Sequence, residues 1–591
     1  MKITGLLFWL NLFPFFCFSQ EVLFEENLEL PNIIHYEPLK NLQRKNQSLN
    51  LPFFDDFFQY EFNLKSNLWE EDENLLVGFG IGKNPPNRGV AIIDGAKKNG
   101  QGYFETPAQG TKERLLSQSI NLSNFNPSDS IYFSFAFMHG GFGDKAEIND
   151  TLKLYFIDNN QISNLVWFRA GGDTMTAFKK VILPVTDPKY LHGQFQFYFE
   201  TYGNLNGLFD QWLLDYIFLN QNRNANDTLF TDLSFSDKRF SIFDSLTSVP
   251  LKQFQSKNWM SQDFIEVTNL SANNEGRNLI WSISEVKNST ILNPPLVQNQ
   301  FFAFFPPYTN YPIPSFADQS NVIEDFSRLR VQFSLNLNAS DPQVNNDTLN
   351  LFFPIDSVWA YDDGEPQTGY GLRTAKTFLQ KFYSHNQDSL KAVMINFVPN
   401  IDIPNGKGFR LVILSHLHRD SVLYSKFYNL THYQSLDSFN YFLLDSILPL
   451  PEIYYIGITQ PDNKPIGVGF DFSYNNNRNV FWDSSSVFVP SRLNGTLMIR
   501  PVMGSKPELA VSKKTTQINK ISLFPNPFHQ FLFLETTENI EKLELYDCLG
   551  NFVQAIKLDK IINLEEIPSG LYFIKIKSEE QIWIKKIIKL P

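Results

Sequence analysis

Four aspartates in the first third of the sequence are the strongest candidates for a metal site. Asp55 and Asp56 lie in a short apolar segment, 53–57, and Asp210 and Asp215 lie in a second one, 210–217. If these segments are the first and last strands of one β-sandwich, their carboxylates converge where the two strands pair. Ca²⁺ prefers such oxygen ligands and takes about six to eight of them. The sequence therefore predicts a structural Ca²⁺ held by Asp55 or Asp56 together with Asp215. The alternative is that these carboxylates cap strand ends or stay solvated.

Other residue groups suggest chemistry less strongly. Asp362, Asp363 and Glu365 allow a second calcium site, although the spacing does not match an EF-hand. His416 and His418 point to the same face of a strand, as two metal ligands would, but the sequence identifies no third ligand, so an exposed strand end is the preferred interpretation. No HExxH, GxSxG or cysteine nucleophile occurs before the last module, so we predict no catalytic site. A glycosidase-type pair of carboxylates remains open, because acidic residues are plentiful.

Composition narrows the class of protein. A chain of 591 residues is too long for one core and predicts three to five domains of the usual size, about 100–200 residues. The net charge of −12 and the lack of a Lys/Arg cluster argue against nucleic-acid binding. The two cysteines are Cys17 and Cys548. Removal of a signal peptide leaves only the second, so we expect no intrachain disulfide.

The N-terminus has the features of a signal peptide, residues 1–19. Lys2 supplies the positive charge, and a mostly apolar run leads to Ser19, after which we expect cleavage. A lipoprotein anchor through Cys17 is the alternative, which the preceding phenylalanines disfavour. No later run of about 18 apolar residues occurs, so we predict no transmembrane helix in the mature chain.

The elements that must position these residues are predicted to be strands. Segments such as 130–137 and 194–199 alternate polar and apolar residues, and Gly, Asn, Asp and Pro separate them. We therefore predict an all-β, multi-domain string of jelly-roll and Ig-like β-sandwiches that ends in a β-sandwich module. The predicted order is as follows: an irregular lead-in at 20–51, a jelly-roll-like domain at 52–220, an Ig-like domain at 226–350, a second jelly-roll-like domain at 356–503, a linker at 504–519 and a terminal module at 520–591.

The terminal module carries four short motifs. They are Pro525-Asn526-Pro527, the turn that contains Tyr546, Asp547 and Gly550, the strand that contains Gly570 and Tyr572, and a basic last strand that contains Lys585 and Lys586. In this order they resemble the type A C-terminal sorting domain of the type IX secretion system. The resemblance implies a sandwich of about seven strands, recognition by the type IX machinery, and a final location that is secreted or on the outer-membrane surface of a Gram-negative bacterium.

The upstream segments 53–57 and 210–217 are similar to the first and last strands of MAM-like jelly rolls, which occur in surface proteins. The export signal and the lack of a catalytic motif lead us to expect a non-catalytic binding or adhesion protein, whose ligand is a glycan or a surface protein. Tryptophans such as Trp69, Trp167, Trp212, Trp359 and Trp482 either stack on sugars or, as we prefer, fill sandwich cores. An exported, glycosidase-like hydrolase on a β scaffold is the alternative function.

Overall fold

A computed structural model shows a nearly all-β chain, which confirms the predicted fold class. Two compact units are present, Met1–Ser505 and Lys506–Pro591. The structure describes residues 21–23, 32–34, 48–58, 67–70, 74–104, 106–227, 232–236, 240–254, 263–287, 290–292, 294–306, 309–313, 327–336, 344–399, 406–430, 433, 435–463, 465–473, 479–484, 487–504, 521–524, 528–536, 540–547, 551–558, 561–578 and 582–590.

The first region of the larger unit is a pair of facing, mainly antiparallel sheets. Its strands, with two that precede it, are β1 (Glu21–Leu23), β2 (Asn32–Ile34), β3 (Phe53–Asp55), β4 (Leu76–Phe79), β5 (Gly89–Gly95), β6 (Ala108–Gly110), β7 (Arg114–Leu116), β8 (Tyr132–His139), β9 (Thr151–Ile157), β10 (Ser163–Ala170), β11 (Lys179–Pro184), β12 (Gln196–Asn204) and β13 (Gly207–Asn220). Two 3₁₀ turns, Pro127–Asp129 and Pro188–Tyr190, connect them. One sheet has the order β10-β9-β12-β6-β2 with β7 beside β12, and the other has β11-β8-β13-β5-β4 with β3 beside β13.

Alternating aromatic residues explain why these two sheets pack on each other. Phe133 and Phe135 project from β8, and Phe197 and Phe199 project from β12 of the opposite sheet. The rings of Phe133 and Phe197 lie 4.5 Å apart between centroids, and those of Phe135 and Phe199 lie 4.8 Å apart. Pairs at this distance add to the free energy gained from apolar burial. As the sequence predicts, the segments 53–57 and 210–217 pair, with Asp55 opposite Ile217.

The second and third regions share one continuous hydrophobic core. The second comprises β14 (Leu233–Phe235), β15 (Val249–Pro250), the short helix α1 (Leu251–Phe254), β16 (Asp263–Asn269), β17 (Glu275–Lys287), β18 (Thr290–Ile291), β19 (Val297–Phe305), β20 (Thr309–Ile313), β21 (Ser327–Asn336), a 3₁₀ turn at Val344–Asn346 and β22 (Thr348–Asp356). Its sheets have the orders β14-β16-β20 and β15-β22-β21-β17-β18, with β19 beside β17.

The third region contributes β23 (Thr368–Leu372), β24 (Thr377–Tyr383), β25 (Ser389–Asn396), β26 (Gly408–Leu414), β27 (Val422–Asn429), β28 (Phe439–Pro449), β29 (Ile453–Thr459), β30 (Val468–Asp471), β31 (Val480–Asp483), β32 (Phe488–Pro490), β33 (Thr496–Leu497) and β34 (Ile499–Met503). Its sheets have the orders β27-β26-β29-β24-β31-β32, β28-β25-β34 and β1-β23-β30-β33. The segment predicted as an irregular lead-in thus supplies two short strands, β1 to the third region and β2 to the first.

The smaller unit is a two-sheet module of its own. Its strands are β35 (Ile521–Phe524), β36 (Phe531–Thr536), β37 (Ile540–Asp547), β38 (Phe552–Ile556), β39 (Ile561–Asn563), β40 (Gly570–Ser578) and β41 (Ile582–Lys589), in sheets β35-β36-β39 and β38-β37-β40-β41. Its core of eleven described residues includes the inward-facing Leu543, Leu545, Ile574, Ile576 and Ile587. None of the helices in the described part of the chain has the length and apolar character that crossing a bilayer requires.

Candidate functional site

The turn motif of the terminal module is held by its aspartate. Asp547 Oδ1 accepts a hydrogen bond from the Asn551 amide at 2.8 Å, and Oδ2 accepts one from the Asn551 side chain at 3.0 Å. The Tyr546 hydroxyl donates to Glu544 Oε2 at 3.2 Å. This arrangement lets β37 reverse into β38. Pro525, Asn526, Pro527 and Gly550 lie outside the described residues.

The strand motif also makes a side-chain contact to the backbone, here to the loop that precedes β40. Gly570 begins β40, and Tyr572, two residues later, is largely buried and donates its hydroxyl to the Pro568 carbonyl at 2.9 Å. Lys585 and Lys586 lie in β41, where Lys586 is exposed and Lys585 is half-buried. The last strand therefore presents part of its positive charge to solvent and packs against β40 along its length.

Lys589 is a buried residue of this module that the motifs did not identify. Its ammonium donates to three backbone carbonyls, those of Leu564 at 2.6 Å, Glu565 at 2.7 Å and Ile567 at 2.7 Å. Its side chain is 8% exposed. The adjoining backbone also binds the start of the module, because the Phe528 amide donates to the Ile588 carbonyl and the Leu590 amide donates to the Phe528 carbonyl. One lysine thus connects the last strand to the loop before β40.

The predicted calcium ligands lie near one another, and each of their oxygens has a donor. Asp55 accepts from the Phe57 amide at 3.2 Å and from Trp69 Nε1 at 2.7 Å. Asp56 accepts from the Phe58 amide at 3.2 Å and from Asn346 Nδ2 at 3.0 Å. Asp215 accepts from the Tyr216 amide and Asn87 Nδ2 on Oδ1, and from the Asn87 amide on Oδ2. All six carboxylate oxygens therefore accept hydrogen bonds from the protein.

Burial dominates the electrostatics of this group. It raises the pKa of Asp215 well above its usual range, and the nearby charge of Asp56 adds to the shift. Asn346 also donates to Asp232 at 3.0 Å, so the group joins the first region to the second. A calcium ion held by Asp55 or Asp56 with Asp215 stays a prediction. Among the described residues, the acidic group whose ligand atoms lie within 4.8 Å of one another is a different one: Glu147, Asp150 and Asp210.

The remaining sequence candidates have identifiable partners. Asp362 forms an ion pair with Arg500, whose Nη2 lies 2.5 Å from Oδ1, and the Asp363 amide donates to the buried Asp471 at 2.9 Å. His418 is 71% exposed and lies 3.6 Å from Asp420 in the turn after β26. This exposure agrees with the preferred interpretation that His416 and His418 lie at an exposed strand end.

A cavity of about 380 Å³ lies between the first and third regions. Its apolar walls come from β4, β5, β13 and two loops: Leu76, Val77, Ile81, Ile92, Leu208 and Leu436. Its polar groups are Asp94, Lys98, Gln211, Glu365, Gln367, Ser435 and Asp437. None of the described residues that line it is aromatic. The sequence did not indicate this cavity, because its two sides are more than 150 residues apart in the chain.

Hydrogen bonds join the first and third regions beside the cavity. Glu365 Oε1 accepts from the Phe79 amide at 2.8 Å, and the Tyr433 hydroxyl donates to the Asn99 carbonyl. Gly78 permits the approach, since a Cβ there would lie 2.5 Å from Ile92 Cδ1 and 3.1 Å from Glu365 Oε1. Both regions therefore hold the cavity in a defined shape.

Asp94 gives the cavity an unusual carboxyl group. Burial raises its pKa to about 7, although hydrogen bonds from the Ala96 amide and from Gln211 oppose the shift. Glu365 lies close enough to Arg88 to stabilise that guanidinium, whose pKa burial lowers to about 10. Near neutral pH the cavity thus presents a carboxyl group that gains or loses a proton easily.

The tryptophans fill cores, as the preferred interpretation expects. Trp69, Trp212 and Trp359 are at most 1% exposed, Trp482 is 8% exposed and Trp167 is partly buried against Phe135 and Phe137. These five rings do not form an exposed stacking platform for sugars.

Comparison with known proteins identifies the terminal module. Residues 522–590 match the family described as the secretion system C-terminal sorting domain, which confirms the resemblance. That domain marks the chain for export to a secreted or cell-surface location. No protein of curated function matches the chain in sequence.

Solved structures show only remote similarity. The glycoside hydrolase domain of Endo-D from Streptococcus pneumoniae R6 is 9% identical, with a TM-score of 0.19, over 52% of this chain and 44% of its own. The tandem CBM22 domain of Paenibacillus barcinonensis Xyn10C is 8% identical, with a TM-score of 0.17, over 76% and 99%. A calcium-binding mutant of Bacteroides uniformis β-glucuronidase 2 is 12% identical, with a TM-score of 0.19, over 54% and 34%. At these TM-scores the similarities carry no argument about function.

Proposed function

We propose that the exported part of this protein is a non-catalytic binding protein whose ligand occupies the cavity between the first and third regions. The observation that carries the proposal is the cavity itself. Its volume of about 380 Å³ lies within the range of small-molecule sites, roughly 300–1,000 Å³. Apolar walls with a few convergent polar groups are the usual composition of such sites.

The lining indicates the chemistry of the ligand. The three acidic residues Asp94, Glu365 and Asp437 outnumber Lys98 in the lining, so the ligand should carry a hydrogen-bond donor or a cationic group. Its remaining surface should be apolar, to match Leu76, Ile92 and Leu436. Because aromatic residues do not line the cavity, sugar stacking is not supported there, and a small amphipathic amine is the better match. The competing hypothesis is that the exported region binds a glycan or a surface protein at another place on its surface.

The experiment is a thermal-shift screen of the secreted protein against small organic amines and against oligosaccharides. We expect members of the amine set to raise the melting temperature. Leu436→Trp should fill the cavity and abolish the shift, whereas Leu165→Trp, at a 51% exposed position, should retain it. An equal shift in Leu436→Trp, or a response to oligosaccharides alone, would contradict the proposal.

One observation favours a second candidate, a glycosidase-like hydrolase. A retaining or inverting glycosidase needs one protonated carboxyl and one carboxylate. Asp94, with its pKa raised to about 7, suits the acid, and Glu365 or Asp437 suits the partner. Release of nitrophenol from nitrophenyl glycosides, lost in Asp94→Asn and kept in Asp420→Asn, would favour this alternative. No release by the native protein would exclude these substrates.

A further inference from the structure

The strand β13 contains an unusual residue next to the cavity wall. Asp210 has a positive φ of 50°, and the register of β13 against β5 breaks between Gly207 and Trp212. Left-handed backbone at a residue other than glycine costs of the order of 1 kcal/mol or more, so it persists where the surroundings enforce it. Asp210 therefore does not follow the regular alternation of side chains along the strand.

The Asp210 carboxylate is buried and only half satisfied. Asp210 is 4% exposed, and its Oδ2 accepts a hydrogen bond from the Asn204 amide at 2.6 Å. Oδ1 is buried and has no hydrogen-bond partner among the described residues. Gly203 makes room for this group, because a Cβ there would lie 2.8 Å from Oδ2. A buried acceptor without a donor costs about 1–3 kcal/mol, which requires an explanation.

Two further carboxylates converge on the same place from the loop between β8 and β9. Glu147, Asp150 and Asp210 each bring one oxygen to within 4.8 Å of the others. The loop is closed on itself, since the Glu147 amide donates to Asp150 Oδ2 at 2.5 Å and the Asp150 amide donates to the Glu147 carbonyl at 3.2 Å. Asp150 is 1% exposed, whereas Glu147 is exposed. Asp144 also approaches, accepting from the Asp210 amide at 3.2 Å.

Three carboxylates this close repel one another unless a proton or a cation lies between them. Neither Glu147 nor Asp210 forms an ion pair with a described lysine, arginine or histidine. A cation would give the unpaired Oδ1 of Asp210 a partner and would cancel the repulsion. Burial and the neighbouring carboxylates raise the pKa of Asp210 to about 10, so a shared proton is the competing explanation.

We propose that Glu147, Asp150 and Asp210 bind a Ca²⁺ ion that fastens the β8–β9 loop to the bulge of β13. Ca²⁺ accepts about six to eight oxygens in irregular geometry, and the exposed side of Glu147 leaves room for water ligands. Mg²⁺ suits the site less well, because it demands a near-ideal octahedron. The site is distinct from the one predicted at Asp55, Asp56 and Asp215, and it does not depend on a ligand in the cavity.

The proposed ion would act on more than the loop. Phe142, in the same loop, stacks on Phe472 of the third region with ring centroids 6.0 Å apart. Gln211, next to Asp210, lines the cavity. Loss of the ion should therefore loosen the contact between the first and third regions.

The test is calorimetric unfolding and calcium titration of the full-length secreted protein, after treatment with EDTA. We expect CaCl₂, but not NaCl of the same ionic strength, to raise the melting temperature, with about one ion bound per chain. Glu147→Gln alters an exposed residue and should fold. It should raise the Ca²⁺ concentration at half-saturation about tenfold or more, because it removes one charged ligand. Asp210→Asn should abolish the response.

Two control variants test whether the Ca²⁺ response comes from this group of carboxylates. Asp420→Asn, at a 91% exposed carboxylate, should respond to Ca²⁺ like the native protein. Asp215→Asn should also keep the response, whatever its effect on stability in EDTA. The proposal would be overturned if the native protein does not respond to CaCl₂, or if Glu147→Gln keeps the native half-saturation. A response lost in Asp215→Asn and kept in Asp210→Asn would assign the ion to the other group. A protein stabilised by acid and insensitive to Ca²⁺ would indicate a shared proton.

Discussion

Replacement of Lys589 by methionine should destabilise the sorting module more than any other single lysine change in its described part. The ammonium donates to the carbonyls of Leu564, Glu565 and Ile567, and all three bonds are 2.6–2.7 Å long. Methionine fills a similar volume and donates no hydrogen bond. The variant therefore leaves three carbonyl groups without their donor and keeps most of the packing.

The size of the effect follows from these contacts. A buried partner left unpaired costs about 1–3 kcal/mol, and these costs add incompletely because water can reach part of the loop. The variant also no longer buries an ammonium group, which offsets some of the loss. We therefore expect the free energy of unfolding to fall by about 3 kcal/mol, or about 150-fold in the open fraction. The module has eleven buried apolar residues in its described core, so this is a large part of its stability.

Hydrogen exchange measured by mass spectrometry on the full-length protein suits this prediction, because peptides report each region separately. Amides of β40 and β41 in Lys589→Met should exchange about 150-fold faster than in the native protein. Peptides from residues 52–503 should not change. Lys557→Met makes the same substitution at an exposed position and is the matched control. If Lys589→Met and Lys557→Met exchange alike in β40 and β41, the three hydrogen bonds do not stabilise the module and the reasoning is wrong.

Three further predictions address export, redox state and pH. Deletion of residues 522–591 should trap the protein in the periplasm of its host, and efficient appearance of the truncated chain in the medium would contradict this. Because Cys548 is the only cysteine after the predicted cleavage site, reductant should leave the thermal midpoint unchanged, and a large drop would reveal a disulfide. Burial raises the pKa of Asp94 from 3.8 to about 7, so the folded state binds more protons than the unfolded state between these values. Stability should therefore fall as pH rises from about 4 to 7, by up to about 4 kcal/mol, in denaturant titrations. Asp94→Asn should remove that slope, and an unchanged slope would assign it to another group.

Local patterns predicted the strands because strands depend on local periodicity. The alternation in residues 130–137 predicted the strand found as β8, and that in 194–199 predicted part of β12. The sorting domain was identifiable for the same reason, since its motifs are short turns and strand ends. Domain boundaries were harder to predict, because β1 and β2 pair with strands that lie far away in the sequence.

The role of Lys589 shows what the sequence could have revealed. Alternate residues of a strand face the same side, so Lys589 shares a face with Ile587, which belongs to the core. That parity separates Lys589 from Lys586, which is exposed. The identity of its partners could not be predicted in this way, because they are carbonyls of a loop that folds back from another part of the module.

The two carboxylates of β13 show a case in which parity is an incomplete guide. Asp210 and Asp215 are five residues apart, so strict alternation would place them on opposite faces of β13. The shift in register between Gly207 and Trp212 removes Asp210 from that alternation and places it with Glu147 and Asp150. Asp215 remains beside Asp56, where amide and side-chain donors satisfy it. Alternation predicts the face of a residue only in a regular strand, and a bulge shifts the residues beyond it to the other face.

The cavity depends on the same kind of long-range arrangement, which has a consequence for binding. One wall belongs to β4 and β5 and the other to loops around Glu365 and Leu436, so a ligand that contacts both walls binds only when the first and third regions are in contact. Any molecule that binds this state alone stabilises it by a free energy that grows with the logarithm of one plus its concentration over its dissociation constant. Contacts beside the cavity, such as Phe142 on Phe472, favour the same state. Loosening them should therefore weaken ligand binding even though neither residue lines the cavity.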